Sequence, residues 1–100
     1  MSAPFSVRAC TRCGHAVHPP RILCPVCAND GWREQQAPDG VAEELTERAG
    51  EGGVRLAAVR TDRGPRVIAR IAPGDDVRVG ERVVLTVDDG GAVTARGRAA

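Results

Sequence analysis

Four cysteines set the terms on which this chain can fold. Cys10 and Cys13 form one Cys-x-x-Cys pair, Cys24 and Cys27 form a second, and ten residues separate the pairs. Each pair brings two sulfurs onto one tight turn. The spacer is long enough for the chain to go out, reverse and set the second pair opposite the first, so the four sulfurs can converge on a tetrahedral metal site. Gly14, directly after the first pair, supplies a positive-φ position that turns backbone N–H groups toward sulfur, and Pro25 stiffens the second turn.

Two disulfides would use the same residues, but pairing within each Cys-x-x-Cys staples little loop. Residues 1–7 have neither a basic n-region nor an apolar h-region of useful length, so a secretory leader is not expected. A cytoplasmic chain keeps its thiols reduced. The sequence therefore predicts a structural metal held by Cys10, Cys13, Cys24 and Cys27. The ligands alone leave zinc and rubredoxin-like iron open, and a closed four-cysteine ribbon favours Zn2+. Four thiolates leave the site negatively charged, and Arg8, Arg12 and Arg21 are placed to offset it. His15 and His18 could ligate, but four cysteines already complete the tetrahedron. They read as polar residues of the ribbon tip. A closed site has no water position, which argues against metal-assisted hydrolysis.

One hundred residues allow one ordinary domain, or a small ribbon with one compact barrel. The division expected is a zinc ribbon with a short tail over residues 1–31 and a barrel over residues 32–100. Net charge is +1 with both signs mixed along the chain, so no basic face announces nucleic acid. No apolar run approaches the length that spans a bilayer, and neither end carries a lipidation signature, so no membrane role is expected. All 14 cationic residues are Arg; with no Lys, Schiff-base chemistry is excluded.

Beyond the ribbon, residues 28–31 make a turn-rich bridge, and Trp32 is expected to pack at the joint. Residues 41–48 are ambiguous: Val41 and Leu45 stand at helical spacing with Asp39 as an N-cap, whereas period two gives only a weak strand. The remainder is clearer. Residues 54–59, the Thr61-Asp62-Arg63-Gly64 turn and residues 66–71 read as a hairpin, while residues 82–87, the turn at 88–91 and residues 92–96 read as another. Short strands with regular turns and no long helix indicate a small barrel.

The stretches Cys10-Thr-Arg-Cys13-Gly14, His18-Pro19-Pro20-Arg21 and Cys24-Pro25-Val-Cys27 resemble the rubredoxin-like zinc ribbon that precedes an OB-fold in acyl-CoA-associated zinc-ribbon/OB-fold proteins. Further on, Leu56-Ala-Ala-Val59 with Asp62-Arg-Gly64-Pro65-Arg66-Val67 is similar to that family's central hairpin, and residues 76–83 resemble its entry into the fourth strand. The likeness covers residues 10–87. It implies an all-β fold, an N-terminal zinc ribbon packed on a small five-stranded OB-fold barrel, with residues 41–48 as the first barrel strand. Family members often carry a helical segment before the ribbon and an aromatic in the last strand. Here nine residues precede Cys10, and residues 92–100 contain no aromatic.

The resemblance also implies a function: an accessory subunit that binds a thiolase-like, ketosynthase-like or hydratase partner acting on acyl-CoA or related thioesters. Residues for catalysis are not visible. Glu43-Glu44, Asp75-Asp76 and Asp88-Asp89 read as solvated surface, and Ser2 and Ser6 as parts of a loose tail, so the chain is expected to be no enzyme. Arg60, Arg66 and Arg70 flank the central hairpin, where they could reach a CoA phosphate or cover the outer barrel face. The alternative is a nucleic-acid-binding module, for which Phe5 and Trp32 offer few stacking platforms. A rubredoxin-like electron carrier is a third reading and requires iron.

Overall fold

The computed structural model describes residues 3–48 and 54–97, and within them every regular element is a strand. They run β1 (Ala3–Pro4), β2 (Ser6–Cys10), β3 (Ala16–Val17), β4 (Trp32–Gln36), β5 (Asp39–Arg48), β6 (Val54–Thr61), β7 (Arg66–Ile71), β8 (Arg82–Val87) and β9 (Val93–Gly97). The ambiguity over residues 41–48 resolves as strand. Cross-strand pairing on both flanks outweighs the local helical spacing, because β5 hydrogen-bonds to β6 along its length and to β8 at its start.

Strands β5, β6 and β7 form an antiparallel meander. β7 then pairs in parallel with β9, β9 pairs with β8, and β8 returns to β5. Each of the five thereby has two neighbours and the sheet closes, with the strand order and single parallel pairing of an OB-fold barrel. Period two decides which side chains face inward. In β7, Val67, Ala69 and Ile71 are buried while Arg66, Ile68 and Arg70 are exposed. Val59, Val83 and Leu85 fill the interior with Ala42, Ala57 and Ala95, and Val77 plugs it from the link between β7 and β8. That link is tied down: Arg55 donates to the carbonyls of Asp75 (3.5 Å) and Val77 (3.2 Å), and Gly80 N–H to the carbonyl of Ala42 (2.7 Å).

Gly40 marks the tightest crossing in β5, paired with Thr61 on one side and Val83 on the other. A Cβ there would stand 2.6 Å from the Arg60 carbonyl oxygen and 2.6 Å from Val59 Cγ1. A bulge follows between Ala42 and Glu44. The freed Glu43 carboxylate bridges Arg60 Nε and Arg66 Nε, each at 2.9 Å. These two arginines are thus engaged on the barrel wall.

The ribbon is a second sheet in the order β3-β2-β4. Two expectations about its junction with the barrel are corrected. Ser6 does not lie in a loose tail: it opens β2 and pairs with Gln36, while Ser2 falls outside the described residues. Trp32 does not form the joint either. It pairs with Cys10 inside the ribbon sheet, and its Nε1–H donates to the carbonyl of Ile22 at 3.2 Å, pinning the ribbon's own loop. The joint is Phe5, Val7 and Ala37, all buried within the barrel's core cluster. Phe5 N–H donates to the Leu85 carbonyl at 3.2 Å and its carbonyl accepts from Ala37 N–H at 2.7 Å, so its backbone is held from both sides. In sheet membership, the change from ribbon to barrel falls between β4 and β5 rather than at Trp32.

Candidate metal centre

The two Cys-x-x-Cys turns have one local geometry, repeated. Cys10 N–H donates to the His15 carbonyl and Cys24 N–H to the Asn29 carbonyl, both at 2.9 Å. Gly14 N–H returns to the Cys10 carbonyl (2.9 Å) as Ala28 N–H returns to the Cys24 carbonyl (2.8 Å). Arg12 N–H points at Cys10 Sγ and Val26 N–H at Cys24 Sγ, each at 3.4 Å. Both turns close through a left-handed residue, Gly14 at φ 81° and Ala28 at φ 62°. The first was readable from the sequence. The second was hidden because alanine gives no such signal.

This repetition brings the four Sγ atoms within 4.8 Å of one another. Cys10 lies 3.6 Å from Cys27 and Cys13 lies 3.6 Å from Cys24. Disulfide bonds, at about 2.05 Å, are excluded at that separation. A tetrahedron with metal–sulfur bonds of about 2.3 Å has edges of about 3.8 Å, so the spacing matches a single zinc ion. These four residues could hold it; Cys10 and Cys24 are buried and Cys27 half-buried, while Cys13 is exposed. Neither histidine joins the cluster among the described residues. His18 instead sets its ring edge-on to Phe5, centroids 5.0 Å apart, and burial holds its pKa below the ordinary range.

The electrostatics favour a dication. The Cys10 thiol is brought down to about 6, chiefly by the Cys13 backbone N–H, with Arg12 N–H, the Asn29 amide and Cys27 assisting against burial. For Cys24, burial opposes ionisation but is outweighed by the N–H groups of Cys27 and Val26 and by neighbouring sulfurs, and its pKa falls. The His15 N–H favours the Cys13 thiolate, yet burial and the three other sulfurs push Cys13 up to about 11. The first protons leave readily and the last does not, because thiolates this close repel one another. A bound cation removes that repulsion. The donors at sulfur are backbone N–H groups and Asn29 Nδ2, 3.6 Å from Cys10 Sγ, rather than the arginine side chains expected from the sequence. Asn29 also donates to Thr11 Oγ1 at 3.1 Å and had no sequence signal.

Comparison with known proteins agrees with this geometry. Residues 5–33 match the family model of the ChsH2 rubredoxin-like zinc ribbon domain. No curated protein matches the chain by sequence. Among solved structures, the fold is similar to a chain described as "Ltp2-ChsH2(DUF35) aldolase", with TM-score 0.75 and 23% identity over 94% of this chain and 84% of that one. At this identity the likeness establishes the fold. It also overturns the expectation that the chain is no enzyme, since the protein sharing its architecture is described as an aldolase. The ribbon is a rubredoxin-like zinc ribbon with its four cysteines gathered as a structural zinc requires, and the resemblance to zinc-ribbon/OB-fold proteins holds for ribbon and barrel alike.

Proposed function

We propose that this chain is a subunit of a thiolase- or aldolase-like enzyme complex acting on acyl-CoA or related thioesters in the cytoplasm. Cys10, Cys13, Cys24 and Cys27 are the ligands of its structural zinc. The observation that carries the reading is that ribbon and barrel together, over 94% of the chain, share their fold with a chain from an aldolase whose description joins two components. A surface feature adds support. On and beside the second metal turn, Ile22 is 85% exposed, Leu23 52% and Val26 65%. Apolar side chains gathered on a rigid knuckle suit burial against another protein.

Co-expression with a thiolase-like, ketosynthase-like or hydratase protein encoded beside it, followed by size-exclusion chromatography, tests the reading. The pair is expected to co-elute, and Ile22→Asp with Val26→Asp to separate it while zinc content stays at one per chain. Separate elution of the unmodified pair, with steeply salt-dependent binding of single-stranded nucleic acid by the lone chain, would replace this reading with the nucleic-acid one.

A further inference from the structure

The two metal turns repeat each other in their backbone, and one side chain breaks the repetition. His15 and Asn29 stand in equivalent places after Cys10 and Cys24, and the carbonyl of each accepts the N–H of its cysteine at 2.9 Å. The His15 imidazole donates to no sulfur among the described residues, whereas the Asn29 amide crosses to the other turn, where Nδ2 lies 3.6 Å from Cys10 Sγ. Asn29 therefore holds the second turn through its backbone and the first through its side chain.

The half-buried amide sits in a fitted setting. Nδ2 also donates to Thr11 Oγ1 at 3.1 Å and to the Gly31 carbonyl at 3.4 Å. Turning the amide over would set Oδ1 against a thiolate and a carbonyl, neither of which can donate, so the network fixes which atom faces sulfur. Gly31 leaves the room for it: a Cβ there would stand 2.5 Å from Thr11 Oγ1 and 3.3 Å from Asn29 Nδ2. Thr11 N–H donates to the same Gly31 carbonyl at 3.1 Å, which closes the clasp. Cys10 and Cys24 each take N–H groups from their own turn, but among the described residues Cys10 alone takes a further one from a side chain of the opposite turn.

We propose that Asn29 is a positioning residue of the metal centre, whose amide sets how tightly the site holds zinc and how slowly Cys10 releases it, by donating to the Cys10 sulfur from across the site. Four thiolates around one dication leave excess negative charge, and a donor at sulfur takes up part of it while fixing where that sulfur stands. This role requires the four cysteines to be the zinc ligands, as proposed above.

The test uses the full chain loaded with Zn2+ or with Co2+, in the parent and in Asn29→Ala, Asn29→Asp and Thr11→Val. Competition against a chelating dye should show a loss of zinc affinity of about 10–100-fold for Asn29→Ala, the range in which partners of metal ligands act, and faster release. Asn29→Asp should lose more, because it keeps the shape but sets a carboxylate beside thiolates. In the Co2+ form the sulfur-to-metal charge-transfer band should move to lower energy in both Asn29 variants, since a sulfur without its donor is the stronger electron donor. Thr11→Val breaks the bond between Thr11 and Asn29 but spares the donor at sulfur, so its band should stay in place and its affinity should fall far less. Circular dichroism of the loaded forms confirms the barrel in each variant. Parent affinity and an unmoved band in Asn29→Ala, or a loss in Thr11→Val equal to that in Asn29→Ala, would overturn the role. A parent Co2+ spectrum without the intensity of four thiolates would instead remove the ligand set, and this role with it.

Discussion

The repeated metal turns predict opposite effects from two exchanges of the same residue types. Gly14 and Ala28 occupy equivalent positions, at φ 81° and φ 62°. A Cβ on Gly14 would meet no atom within 4 Å, so Gly14→Ala introduces only torsional strain. Left-handed backbone costs a non-glycine residue about 1–2 kcal/mol. The stiffer unfolded chain returns about 0.4–1 kcal/mol, leaving Gly14→Ala destabilising by about 0.5–1 kcal/mol. Ala28→Gly reverses both terms and should stabilise by the same amount. Competition for zinc against a chelating dye reads these effects as roughly a two- to fivefold loss and a two- to fivefold gain in affinity, with each tenfold worth about 1.4 kcal/mol. The double variant should return close to the parent. If both single variants shift in one direction, the equivalence of the two turns is wrong.

Four other outcomes follow from the geometry. Gly40→Ala sets a Cβ against backbone that cannot retreat, and a cost of about 2–3 kcal/mol should lower the melting temperature by roughly 10–20 °C; an unchanged melting curve would disprove the close crossing. Phe5→Ala empties the joint and should cost about 3–5 kcal/mol in chemical unfolding, against under about 1 kcal/mol if residue 5 belonged to a loose tail. Glu43→Gln removes a bridge between two half-exposed arginines and should cost about 0.5–1 kcal/mol in low salt and nothing measurable at about 1 M, where screening is nearly complete. For pH, the Cys10 pKa is lowered from 9.0 to about 6, so its thiolate stabilises the fold above its unfolded pKa and that contribution is lost as pH falls through about 6. Trp32 fluorescence should report this acid transition, with a midpoint that moves to lower pH as zinc is added; a midpoint indifferent to zinc would refute the linkage.

Much of this molecule is legible in its sequence, and the limits have physical causes. The cysteine spacing gives the metal centre because ligand geometry depends on a few residues close in the chain. The β6–β7 and β8–β9 hairpins are visible because Gly64 and Gly91, both at positive φ, mark their turns. Residues 41–48 are not, because the strand depends on neighbours distant in sequence and is interrupted by a bulge that breaks period two. The joint is hidden for the same reason. A lone Phe5 beside a proline and a serine carries no local pattern, whereas the single tryptophan attracts a role that it spends inside the ribbon. The acidic pairs read as solvated surface include working contacts: Asp88 Oδ1 accepts from Gly90 and Ala92 N–H, and Asp75 Oδ2 from Gly97 N–H.

Strand β2 explains why so small a barrel and so small a ribbon occur in one chain. Its period two sends Val7 into the barrel core while its last residue, Cys10, reaches the metal cluster. One side of β2 pairs with β3 and the other with β4, so its position is fixed by the ribbon sheet. The barrel interior is lined largely by alanine and valine, and its one aromatic, Phe5, arrives from the segment that leads into β2. Zinc binding supplies about 10–16 kcal/mol in small modules of this kind, and a zinc ion at the four cysteines would order the ribbon strand whose start carries Phe5 and Val7 into the barrel core. Zinc at this site would therefore stabilise more than its own knuckles: by holding Cys10 it would anchor the end of β2, and with it the two side chains, Phe5 and Val7, that complete the core.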